Sequence, residues 1–130
     1  MKYALLSIFL LSFNISFSQS NITAYLDNLN SARNDSEKIV TYRTIFNHYK
    51  YTNHDSATYF LNQGLSYFNK RQYKYGMARI MMLLAYIDVN EGRMETGKLR
   101  ENAALQIFLE LNKPADIANV YNSLGVIEGK

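Results

Sequence analysis

His48 and His54 are the only two histidines in the chain, and histidine is the residue type best suited to metal binding and proton transfer. Set six apart, in a helix end and a turn, they suit neither a zinc-ligand set nor a metalloprotease helix, where both rings must leave one face. His54-Asp55 has the dipeptide of a phosphoacceptor histidine, but that role needs an exposed helix and a supply of ATP, and a helix-capping Asp55 accounts for the same residues. Gly92 and Gly97 read as a turn residue and a helix-packing residue, not as a glycine-rich phosphate loop. The acidic pairs Glu91 with Glu95 and Asp27 with Asp35 have no histidine or lysine beside them to tune a general acid or base. With Cys 0, a thiol nucleophile, thiolate zinc and disulfides are excluded. The expectation is no enzyme, with no catalytic residue, no cofactor and no metal.

Two groups of polar residues remain. Arg43 and Asn47, four apart on a helix, offer a guanidinium fork and an amide, which together suit a carboxylate or a peptide backbone. Lys70-Arg71-Gln72-Tyr73-Lys74-Tyr75, with Arg79 a turn later, interleaves cations and aromatic rings as nucleic-acid surfaces do. The alternative is a turn with a solvated basic edge, and no nucleic-acid partner is expected. The formal charge of +3, from 14 basic and 11 acidic residues spread along the chain, implies no strong electrostatic partner.

The elements that must carry these residues are helices. Gly 6 and Pro 1 in 130 residues are too few for a turn-dense β fold, and 48% hydrophobic residues argue against disorder. Residues 1–18 read as an export signal: Lys2, an apolar run from Tyr3 to Phe13, and the small-x-small site Ser16-Phe17-Ser18. Asn14 breaks the run before it reaches the roughly 20 residues of a bilayer span, so no membrane span is expected in the mature chain, which would be periplasmic or at the cell surface. Beyond it, apolar residues fall at helical spacing. Ile22, Tyr25, Leu26 and Leu29 define a first helix. Ile39, Tyr42, Ile45, Phe46 and Tyr49 define a second, and Ala57, Phe60, Leu61, Gly64, Leu65 and Phe68 a third, capped by Asp55 or Ser56. Residues 75–90 and 94–111 follow as a further pair, and Pro114 suits the first turn of a last helix.

The helix pairs repeat. Gly64-Leu65 recurs as Ala104-Leu105, Ala57 as Gly97, Ala78 as Ala118, Leu84-Ala85 as Leu124-Gly125, and Ile87 as Ile127, each at an offset of 40. Where helix backbones cross closely only Gly or Ala fits, so a repeated pair must repeat its small positions.

Tyr121-x-x-Leu124-Gly125, Met81-x-x-Leu84-Ala85 with Gly97 and Ala104-Leu105, and Tyr42-x-x-Ile45-Phe46-x-x-Tyr49 with Ala57 and Gly64-Leu65 resemble the tetratricopeptide repeat. Together with Asp35-Ser36-Glu37-Lys38-Ile39 and Asp55-Ser56-Ala57, they are similar to the exported amino-terminal region of Bacteroidetes sensor kinases and helix-turn-helix regulators. The resemblance implies an all-α fold, a right-handed superhelix of antiparallel helix pairs with about two and a half repeats of 40 residues. Its divisions would be a helix at 21–35, repeats at 36–74 and 75–114, and the first helix of an incomplete repeat at 115–130, all within the region 19–130. It also implies a concave face lined by Arg43, Asn47, Arg79, Met82, Tyr86, Asn119 and Asn122 that binds a protein or peptide segment. Two functions are open: a non-catalytic scaffold, or the sensory input of a kinase or transcriptional regulator whose output lies beyond this chain. Val120, Leu124 and Ile127 are expected to lack a covering helix, which raises self-association. Arg100 and Glu101 stand where this family packs an aromatic residue, and Asp55-Ser56-Ala57 is similar to a Bacteroidetes O-glycosylation sequon.

Overall fold

The computed structural model describes residues 22–129, so the expected export signal at 1–18 lies outside the described residues. Two compact units are present, divided after Arg33. The first carries α1 (residues 22–31), where Leu29 is buried and Leu26 exposed. The second carries α2 (Asp35–Tyr49), α3 (His54–Lys70), α4 (Lys74–Asn90), α5 (Met94–Glu110) and α6 (Pro114–Glu128). The described residues are all helix and turn, with no strand.

Local chemistry sets the helix ends. Asn34 caps α2 by accepting from the Glu37 amide, and Asn53 caps α3 by accepting from the Ser56 amide. The α3 cap is therefore Asn53, not Asp55 or Ser56; Asp55 lies in the first turn, where its charge faces the positive helix end. Pro114 opens α6, where its missing N–H costs no helical bond. The last three turns share one design. Gln72, Gly92 and Asn112 take left-handed φ values of 55°, 82° and 52°. The next amide, of Tyr73, Arg93 or Lys113, then donates back to the carbonyl of Phe68, Asp88 or Phe108 at 2.8–3.0 Å. This closure satisfies carbonyls the helix end leaves orphaned and turns the chain within three residues. Each helix is thereby folded back onto its predecessor, and α2 also packs on α4.

The 40-residue period is visible in the helix bounds: α3 and α5 run from 54 to 70 and from 94 to 110, and α4 and α6 start at 74 and 114. Of the recurring small residues, Gly97 sits at a close crossing, whereas Ala118 is exposed and Gly125 has open space around it. A Cβ on Gly97 would lie 2.7 Å from Val89 Cγ2 and 3.2 Å from the Ala85 carbonyl oxygen, so α5 approaches α4 only because Gly97 has no side chain. Phe68 and Phe108, one period apart, are both fully buried and anchor successive layers. Around Phe108, the residues Ala78, Ala104, Leu105 and Val120 form a core shared by α4, α5 and α6. Val120 and Ile127 are buried, contrary to the expectation that they lack a cover, because α5 packs on that side of α6. The open side of α6 instead shows Tyr121, Val126 and Gly125, the last with nothing within 4 Å of a built Cβ.

One position breaks the pattern. Leu61 is fully buried in α3, and its partner one period later is Glu101, also buried at 2% exposure. Glu101 Oε1 accepts from Ser123 Oγ of α6 at 2.6 Å, and Oε2 has no partner. Burial pushes the carboxyl above the usual carboxylate range, and the Ser123 hydrogen bond opposes that shift. The neighbouring Arg100 turns outward to Asp88, with Nε 2.8 Å from Oδ2, and Arg93 bonds Asp88 Oδ1 from the turn at 2.7 Å. Two arginines thus ion-pair with the buried Asp88 carboxylate, one of them from position 100, where, with Glu101, the family resemblance implied an aromatic residue.

Candidate functional site

Successive first helices α2 and α4 lie side by side and leave a groove between them. On α2, Ser36, Val40, Arg43 and Asn47 follow one another at spacings of four, three and four, which places them in one stripe along the helix. On α4, Tyr75, Arg79, Met82 and Tyr86 do the same. The two stripes face each other across a cavity of about 240 Å³, lined by Ser36, Ile39, Val40, Arg43, Tyr75 and Arg79. Ile39 is buried, while Val40 remains 51% exposed, a large apolar side chain left in solvent beside a cation.

Of the seven residues expected to form a binding face, Arg43 and Arg79 are brought together in this cavity. They are not equivalent. Arg79 Nη1 lies 2.8 Å from Asp116 Oδ1 at the start of α6, and the same nitrogen is 3.5 Å from Tyr75 Oη. Burial raises the Tyr75 hydroxyl above its ordinary value, opposed by the Arg79 charge and assisted by Asp116. Tyr75 therefore stays a neutral phenol with its ring as a groove wall. Arg79 is a structural cation that ties α4 to α6. Arg43, by contrast, is exposed and has no hydrogen-bond or ion-pair partner among the described residues.

The other five residues lie outside this cavity. Asn47 is exposed farther along α2. Met82 is half-buried against the core around Phe108, so part of its surface serves packing. Tyr86 is exposed, its ring edge-on to Phe46 at 5.4 Å across the α2–α4 contact. Asn119 and Asn122 are exposed on α6, apart from Arg43. The spacing argument missed Val40 and Tyr75; both were legible as residues three before Arg43 and four before Arg79, on the same helix stripes.

A second cavity, of about 550 Å³, opens beyond Tyr75, with Tyr73, Lys74, Leu111 and Lys113 in its lining. Lys113 Nζ sits 5.2 Å over the Tyr75 ring. A third, of about 340 Å³, lies between the α2–α3 and α4–α5 turns around His54. There the two His54 ring nitrogens meet the Lys50 carbonyl at 2.8 Å and Glu91 Oε1 at 3.1 Å. Glu91 is held below the usual carboxylate range, first by its hydrogen bond from Arg93. His54 is thereby an inter-turn tether. Among the described residues, no three His, Asp or Glu side chains converge in a way that would hold a metal ion, and no helix is long and apolar enough to cross a membrane. The α2–α4 groove presents an exposed apolar edge, an aromatic wall and a guanidinium with no ion-pair partner among the described residues. Compared with protein-family models, curated proteins and solved structures, the chain matches none of them.

Proposed function

We propose that this chain is a non-catalytic scaffold of tetratricopeptide type, exported from the cytoplasm, that receives an extended peptide or protein segment in the groove between α2 and α4. The observation that carries this reading is the pairing of exposed Val40 with Arg43, which has no ion-pair partner among the described residues, over a cavity lined by Tyr75. An exposed apolar residue beside a guanidinium, over a cavity, fits a ligand that brings apolar contact and an acceptor. The 40-residue recurrence of helix bounds supports the repeat assignment, since stacked pairs present their first helices on a common side.

Selection from a displayed library of random dodecapeptides tests this. Enriched peptides are expected to bind the wild type and to lose about tenfold or more in affinity, about 1.4 kcal/mol, on Val40→Asp or Arg43→Glu. Leu99→Asp, at an exposed position on α5, is expected to leave binding unchanged. Binders indifferent to Val40 and Arg43, or no binders at all, would remove the groove as the site.

A further inference from the structure

We infer that the groove takes a peptide segment carrying two carboxylates, one at each end of an apolar stretch, the ends being met by Arg43 and Lys113. This rests on the peptide-binding reading above and names the chemistry of the partner. The cavities of about 240 Å³ and 550 Å³ both include Ser36 and Tyr75 in their linings, so they are neighbouring parts of one path that passes the Tyr75 ring. Arg43 lines the smaller cavity, and Lys113 lines the larger one with its Nζ 5.2 Å over the Tyr75 ring that both share.

The charges along this path are not uniform. Of the cations that line it, Arg79 is paired with Asp116 at 2.8 Å and Lys74 with Glu110 at 2.9 Å. Asp35, beside Ser36 in sequence, is engaged by Arg71 at 3.2 Å and by the Tyr67 hydroxyl. Arg43 and Lys113 make no ion pair among the described residues; Lys113 has only the face of Tyr75 beneath it. Among the described residues the path thus has two cations outside ion pairs, Arg43 and Lys113, and Ile39, Val40, Leu111 and the Tyr75 ring supply apolar surface along it. A carboxylate brought to either end gains a charge-assisted contact, and an apolar stretch between them leaves no buried charge unpaired. A nucleic-acid strand fits less well, because two cations outside ion pairs are too few for a run of phosphates.

Calorimetric titration of the full chain tests the inference. The probes are acetylated, amidated peptides with a glutamate at each end of a short Leu/Thr spacer of graded length, and matched peptides with glutamine at one or both ends. For the spacer that fits, each glutamate-to-glutamine exchange is expected to weaken binding about threefold to tenfold. One of the two losses should vanish in Arg43→Gln and the other in Lys113→Gln, and added salt should weaken the diacid most. Both side chains are exposed, and circular dichroism checks that the variants stay folded. If the neutral peptide binds as tightly as the diacid, and still depends on Val40, the acidic inference falls while the peptide-binding reading stands. If no peptide of any charge binds, both fall. Tighter binding of a thymidine oligonucleotide than of any diacid would overturn the inference in favour of a nucleic-acid surface.

Discussion

Replacing Glu101 by leucine is expected to stabilise the protein, and the size of the gain can be worked from its surroundings. The carboxyl is buried at 2% exposure with Oε2 unpartnered, and the position one repeat earlier holds the fully buried Leu61. Removing an unsatisfied buried oxygen recovers about 1–3 kcal/mol, while losing the Ser123 hydrogen bond returns about 1 kcal/mol. Filling the site with an apolar side chain of similar volume adds further stability, as replacing buried polar groups often does. The net expectation is a gain of about 1–3 kcal/mol at neutral pH, or about 4–8 °C in Tm for each kcal/mol in a domain of this size. The pH dependence gives an independent check. Burial raises the folded-state pKa of Glu101 above its unfolded value, so the folded state holds the proton more tightly. Wild-type stability from this group is then fully present below the unfolded value of about 4.3, and is lost as pH rises through the folded value. Urea unfolding of wild type and Glu101→Leu across this range should show a declining contribution in the wild type that the variant lacks. A variant less stable than wild type at neutral pH, or one with the same pH slope, would refute the reasoning.

Four further outcomes follow from the packing and the caps. Gly97→Ala should cost about 1–3 kcal/mol in urea unfolding, because the added methyl meets Val89 and the Ala85 carbonyl oxygen at the α4–α5 crossing. Gly125→Ala should instead stabilise by about 0.5–1 kcal/mol, since it is helical with open space around it; equal effects at the two glycines would contradict the close crossing. Asn53→Ala should lower stability by about 0.5–2 kcal/mol through loss of the α3 cap, with Asp55→Ala costing clearly less, as thermal melts would show. Asp116→Ala should cost about 1–3 kcal/mol by stranding the half-buried Arg79, and a double-mutant cycle with Arg79→Met should recover part of that loss.

Helical spacing and the recurrence of small residues made the helices and their period legible before any coordinates. Ala57 and Ala104 are fully buried and a side chain on Gly97 would clash with α4, so part of the fold's packing is written in the small residue types themselves. The cap of α3 was misplaced by two or three residues because Asn53, Asp55 and Ser56 all have capping chemistry, and only the backbone shows which accepts from the first turn. Glu101 was legible as an irregularity, but its burial against Ser123 depends on how α6 lies on α5. Arg43 and Arg79 looked alike in sequence; Asp116, 37 residues beyond Arg79, makes one a structural tie, while the other has no ion-pair partner among the described residues. Lys113 was not singled out in the sequence, because nothing local indicates that its turn comes to rest over Tyr75.

That the α2–α4 groove is the binding surface is tested most directly by amide chemical-shift mapping of the full chain with a peptide recovered from the display selection. The predicted result is a contiguous set of shifts over Ser36, Val40, Arg43, Tyr75 and Arg79, abolished by Arg43→Glu. Shifts confined to α6, or scattered with no centre on Val40 and Arg43, would contradict it.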